Sequence, residues 1–293
     1  MDKNIKEIEL KSFEEFEQIA KKEICENKFE QLTKKIFKPT DILFRGQADA
    51  SWKLESTLAR DTGIKKYPEE KYHIEMASLV NTIYEHTGKQ WCVPQYLHKP
   101  YIEKEHRKIF DHPLGYAFMV YLRHFGFPSP LLDWTENLYI AAYFAYSDTK
   151  SDNVAIYIYQ QSNDSSMVSE DNSTVIHLGK HIDTHQRHIY QQAQYTVCKS
   201  AQTDENCSGF KQNFFYDSYE DYSWNNDELR DGNIRNQCTK YILPASQKDQ
   251  ILQDLKNIFI TESMLMKNND PLIKKEEELI KKLKCKFLEK YSQ

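Results

Sequence analysis

The chain has 293 residues, 40% hydrophobic and 13% aromatic, which is enough for a full core in one large domain. Its formal net charge of -5 and pI near 6.1 lack the basic surplus of a general nucleic-acid binder, so none is expected. There is no uninterrupted apolar run of about 18 residues, and the start, MDKNIKEIELKSF, has no apolar signal core; a soluble, cytoplasmic protein with no membrane attachment is expected.

In chain order, Ser12 and Glu15 form a capping-box pattern, and Phe13, Phe16, Ile19 and Ala20 make an apolar stripe, predicting an N-terminal helix. The apolar run after Asp41 predicts a buried strand. It ends at Arg45 and Gly46, where a charged fork can face a cleft and a missing side chain permits close ligand approach. Pro68 at a helical N1 position opens a helix carrying Tyr72, Met76, Leu79, Val80 and Ile83. A further helix runs from Pro113 through Tyr121 and closes at His124 and Phe125, with Gly126 as left-handed cap and Pro128 and Pro130 preventing its return. Asp133, Trp134 and Thr135 follow, with Thr135 expected to N-cap a helix bearing Ala141, Ala142, Phe144 and Ala145. This turn reads either as a buried structural cap or as an acid, an indole and a hydroxyl presented at a site.

Residues 153–160 alternate like a strand, residues 161–174 read as a polar loop, and a short VIHL strand follows. The acidic, aromatic stretch 199–233 is too irregular for a regular element and reads as an insertion or lid. Residues 239–243 predict a strand stopped by Pro244, and Ser246 is expected to cap a helix with Ile251, Leu252, Leu255 and Ile258 inward. The charged helix expected over 270–291 has Leu272, Leu279, Ile280, Leu283 and Phe287 on one face, packed on the domain or docking a protein partner. The six cysteines, Cys25, Cys92, Cys198, Cys207, Cys238 and Cys285, form no CxxC pair, so reduced thiols are expected.

LFRGQ followed by W-x-L and Arg60, with HFGFPSPLLDWTENLYIAAYFA further on, resembles the FRG domain, a family named for its Phe/Tyr-Arg-Gly motif. The segments RHIYQQAQY and YILPASQKDQILQDL resemble later parts of the same family. Ala193, Tyr195, Ser129 and Arg123 depart from the family pattern. The resemblance spans roughly residues 29–260 and implies an α+β domain with one mixed sheet flanked by helices. The expected organisation is an N-terminal helical extension (1–28), an FRG-like domain (29–262) and a C-terminal amphipathic helix (263–293).

The order of motifs also resembles that of ADP-ribosyltransferase-like folds: Arg on a first strand, a Ser/Thr segment before a helix ending in Phe-Ala, and a polar third strand. That resemblance implies NAD as cofactor and Arg45, Asp133, Thr135 and Gln191 as catalytic residues. Arg45, Gly46, Gln47, Arg60, His124, Trp134 and Thr135 would bind the ligand, Trp134 as a stacking surface. The third motif offers Gln191, Gln192 and Gln194 where a Glu is usual, and Asp204, Glu205 and Glu228 are substitutes the sequence does not choose among. Two other readings stand beside it. One is a noncatalytic nucleotide- or protein-binding module. The other is a metal-dependent hydrolase using His177, His181, His185 and His188, whose spacing would align them on a helix. Gly179, Asp183 and Thr184 oppose that helix, so no metal is expected.

Overall fold

The computed structural model describes residues 5–34, 42–94, 113–161, 173–204, 211–220, 222, 224, 236–266 and 270–291. Helix α1 (Phe13–Lys34) begins at the expected signal: Ser12 Oγ accepts from Glu15 N at 3.2 Å. Glu15 Oε2 in turn accepts from Lys11 N at 2.8 Å, one residue further back than in a capping box.

The strands are β1 (Lys6–Glu9), β2 (Ile42–Gln47), β3 (Tyr67–Pro68), β4 (Leu131–Thr135), β5 (Asn153–Gln160), β6 (Thr174–His177), β7 (Ala193–Asp204), β8 (Lys211–Tyr216) and β9 (Gln237–Pro244). They join one sheet in the order β1-β9-β5-β2-β4-β7-β8-β3, with β6 on β7. The β1–β9 pair is parallel and the others are antiparallel, so the sheet is mixed and the class is α+β. Segment 1–28, expected as an extension, supplies an edge strand and places Phe16 and Ala20 in the core.

Strand β2 reads as a continuous apolar run because both of its faces are covered. Leu43 packs with Trp134, Tyr157 and Tyr159 on one side. Phe44 faces α6 (Leu138–Tyr146) on the other, with Ala141, Ala142 and Ala145 in the same cluster. At Gly46 a Cβ would lie 2.0 Å from Ala141 O and 2.6 Å from Ala145 N. The missing side chain therefore lets the backbone of α6 approach the strand, and that space is not open to a ligand.

Several local expectations are corrected. Residues 131–135 are not a connection leading to a cap but strand β4, all five paired to β7. Asn137, not Thr135, caps α6: its side chain accepts from Tyr139 N at 2.9 Å, while Thr135 Oγ1 accepts from Asn137 N at 3.1 Å. The helix expected after Pro68 is two helices, α3 (Glu69–Ala77) and α4 (Val80–Thr87), with Pro68 at the N-cap of the first. After β9, Ala245–Gln247 forms a 3-10 turn, so Ser246 does not cap α8 (Lys248–Asn257); Gln247 holds the N-cap position. Gln247 Oε1 instead accepts from Phe13 N at 2.9 Å, tying this turn to the start of α1.

The stretch 199–233 is not uniformly irregular. Its start continues β7 and then returns as β8, pairing from Lys199↔Tyr216 to Asp204↔Lys211. Residues 205–210 and 225–235, and with them Glu205 and Glu228, lie outside the described residues, as do residues 162–172 of the expected polar loop. Helix α5 (Tyr116–His124) ends at Gly126 with φ 85°, as its punctuation predicts. Helix α10 (Pro271–Leu288) lays Ile273, Ile280, Leu283 and Phe287 into the cluster built on α5, β7 and α3, leaving Leu272 exposed. Among the described residues no helix is long and apolar enough to cross a membrane.

Candidate functional site

Strand β2 pairs with β5 at six residues but with β4 only at Phe44↔Thr135. Beyond that bridge the two strands run without a ladder between them. A cleft of about 850 Å³ is lined by residues of β2, of β4 and of the α6 face, together with the loop after β2. Of the residues nominated from sequence, Arg45, Gly46, Gln47, Arg60, Asp133, Trp134, Thr135 and Gln191 all line it. His124 does not.

Arg45 occupies the break in the ladder. Its Nη1 donates to Asp133 O at 2.6 Å, so the guanidinium substitutes for a strand hydrogen bond, and lies 3.5 Å from Asp133 Oδ2. Its Nε is buried without a hydrogen-bond partner, and Nη2 bonds to no described residue. Burial works against its charge and the neighbouring Asp133 restores part of it, so its pKa is lowered overall. An arginine stays protonated through such a shift. The result is a cation with a fixed position and unspent donor capacity at the wall of a cleft.

Asp133 is held mainly by a residue the motif reading did not nominate. Arg123, in the last turn of α5, donates to Asp133 Oδ1 through Nε at 2.8 Å and through Nη2, and its Nη1 donates to Thr57 Oγ1 at 3.2 Å. Burial opposes ionisation of Asp133, but the charges of Arg123 and Arg45 and the Arg123 hydrogen bond outweigh it and hold the carboxyl well below the usual carboxylate range. Asp133 is therefore a permanent anion near neutrality, unsuited to exchanging protons there. With 40% of its side chain exposed it can still accept a hydrogen bond.

For Trp134 the buried reading holds, and the amide assignment changes. Trp134 is 2% exposed, with its ring 5.0 Å from that of Tyr159 and Nε1 donating to Thr196 Oγ1 at 2.9 Å, so its indole is core rather than a stacking surface. The exposed indole on the cleft belongs to Trp52, at 53%. Its loop is tied down from below: Gln47 Nε2 donates to Lys53 O at 3.2 Å, and Ala50 N donates to Asn153 O at 3.0 Å. Tyr157 Oη reaches Gln47 Oε1 at 3.3 Å and Trp52 O at 3.4 Å. Gln191 lies not on a strand but between α7 (Arg187–Tyr190) and β7, and its Nε2 donates to Leu265 O at 3.2 Å. Arg60 is exposed and paired to Asp61 at 3.1 Å.

His124 sits behind the cleft in a chain with Tyr195 and His188. His188 Nε2 lies 2.9 Å from the Lys180 carbonyl, which only accepts, so Nε2 carries the proton and Nδ1 accepts from Tyr195 Oη at 3.1 Å. That orders the next bond, with His124 Nε2 donating to Tyr195 Oη at 2.8 Å. Burial pushes His124 down to about 3 and lowers His188, so both rings are neutral near pH 7. The four histidines once aligned by spacing do not share a helix: His177 ends β6, His181 and His185 lie in the following loop, and only His188 is in α7. Among the described residues no group of three His, Cys, Asp or Glu side chains gathers as a metal site.

The architecture is thus that of an α+β domain with a polar cleft where its sheet parts. Residues 40–154 match the family model of the FRG domain, and the chain carries an FRG domain over that span. The match includes the LFRGQ strand and the HFGFPSPLLDWT segment, and leaves the RHIYQQAQY segment outside it. No curated protein and no solved structure matches the chain.

Proposed function

We propose that the cleft binds a nucleotide-like ligand, NAD or a relative of it, inside the cell. The observation that carries this reading is Arg45: a positioned guanidinium beside a break in the sheet, whose Nη2 bonds to no described residue, suits a phosphate or pyrophosphate. Trp52 supplies an exposed ring face for a base. In the enzymatic form of the reading, an ADP-ribosyltransferase or NAD glycohydrolase, the C1′–N bond breaks and its electron pair leaves with neutral nicotinamide. An acceptor or water then forms the new bond to C1′ and releases a proton. The fixed anion of Asp133 would oppose the positive charge that develops on the sugar.

A second reading, a noncatalytic nucleotide-binding module, has its own observation. Asp133 is already neutralised by Arg123 and Arg45, and the Gln191 amide is spent on Leu265 O, so two of the four nominated catalytic groups are occupied. One assay separates the two readings. The protein is incubated with NAD at millimolar concentration, and free nicotinamide is followed by chromatography while saturable binding is followed by calorimetry. Binding with nicotinamide release is expected for the enzyme, and binding without release identifies the module. Absence of binding by NAD, ADP and ADP-ribose removes both.

A further inference from the structure

The cleft also holds a carboxylate with no partner among the described residues. Glu55 lines it, is half-buried, and makes no hydrogen bond or ion pair to a described residue. Its carboxylate oxygens, unlike Arg45 Nε, are not sealed from solvent, so they can accept hydrogen bonds from a ligand in the cleft. Every other charged group at this depth is engaged: Arg45 and Asp133 with each other, and Asp133 with Arg123. Lys53 and Arg60, more exposed, pair with Glu220 and Asp61. Asp148 also lines the cleft but is exposed at its rim, where water suffices.

The backbone holding Glu55 is fixed on both sides. Leu54 is 4% exposed in the core cluster of Trp134 and Tyr157, and Ser56 caps α2 (Thr57–Thr62) by accepting from Ala59 N at 3.2 Å. The acid is thus presented from a rigid loop, the same one that carries Trp52. An ionised carboxylate only accepts hydrogen bonds, and its two oxygens match the two donors of a vicinal diol.

We infer that Glu55 is the sugar-recognising residue of this cleft, accepting hydrogen bonds from the 2′- and 3′-hydroxyls of a ribonucleotide whose phosphates meet Arg45. This rests on the nucleotide reading and narrows it to ligands with an unmodified ribose diol. It also supplies a carboxylate that the Gln191 segment lacks.

The test compares ADP with 2′-deoxy-ADP by calorimetry on the native protein and on Glu55→Gln, with pyrophosphate as a probe of the Arg45 end. The native protein is expected to favour ADP by about tenfold, as for one hydrogen bond to a charged group. In Glu55→Gln, whose amide oxygen is a weaker acceptor, that preference should fall several-fold, with pyrophosphate affinity not reduced and melting temperature unchanged, since Glu55 bonds to no described residue. ADP binding whose preference over the deoxy analogue survives in Glu55→Gln overturns this inference and leaves the nucleotide reading standing. Failure of the native protein to bind ADP or NAD overturns both.

Discussion

Replacing Trp134 by Ala is expected to lower stability by about 3–5 kcal/mol, the usual cost of emptying a large aromatic site in a core. The indole is 2% exposed and packs against Tyr159 in the cluster that also contains Leu43, Leu132 and Tyr157. Its lost hydrogen bond adds little, because Thr196 Oγ1 keeps the Tyr219 hydroxyl at 3.1 Å. The cost is therefore a cavity beneath β2 and β4, the strands that carry Arg45 and Asp133. Urea denaturation reads it directly. A Trp134→Ala protein that unfolds at the parent midpoint but has lost nucleotide binding would place the indole on the ligand instead of in the core.

The second large effect is at Gly46. The Cβ of an alanine there would meet the carbonyl of Ala141 at 2.0 Å and the amide of Ala145 at 2.6 Å. Both are helix backbone, which cannot turn aside as a flexible side chain does. Either α6 moves away from β2 or the strand bends, and overpacking of this kind costs about 3 kcal/mol, at the upper end of its usual range. Because α6 also forms one wall of the cleft, Gly46→Ala should weaken ligand binding in the fraction that still folds. A midpoint of denaturation equal to that of the parent would contradict the account of why glycine follows Arg45.

Much of this was legible locally. The apolar run of β2, the Ser12 start of α1 and the Gly126 stop after α5 each depend on residues within a few positions of one another, which is where capping and turn chemistry act. Several cap positions lie one or two residues from the expected ones, and the larger failures depend on distant partners. Leu-Leu-Asp-Trp-Thr after two prolines looks like a connection until β7, more than fifty positions later, pairs with every residue of it. The same strand makes the start of the 199–233 stretch half of a hairpin. Gln191 is nominated by the resemblance in motif order, yet its partner is a carbonyl in α9 (Glu262–Met266).

At the cleft, the LFRG and LLDWT segments supplied Arg45 and Asp133, which lie 3.5 Å apart, but Arg123 reads in the sequence only as a departure from the family pattern. A signal was present, an arginine ten positions before an acid across a Gly/Pro turn that reverses the chain. Glu55 and Trp52 gave less, since nothing in S-W-K-L-E shows that the loop would be tied by Gln47 and Tyr157 against the cleft. A half-buried acid is recognisable as unpaired only once its neighbours are known.

Under the proposed function, Arg45 meets the ligand's phosphates, beyond its bond to the Asp133 carbonyl. Lysine at this position keeps the charge but loses the planar fork that grips a phosphate through two bonds. The most direct measurement is calorimetric titration of ADP-ribose into the native protein and into Arg45→Lys, with melting temperatures recorded for both. Saturable binding by the native protein is expected, with a loss of about tenfold in the variant, as for one charge-assisted hydrogen bond, and a melting temperature lowered only by the loss of the Asp133 contacts. No binding by the native protein at millimolar ligand, or equal affinity in a stably folded Arg45→Lys, would contradict this role of Arg45.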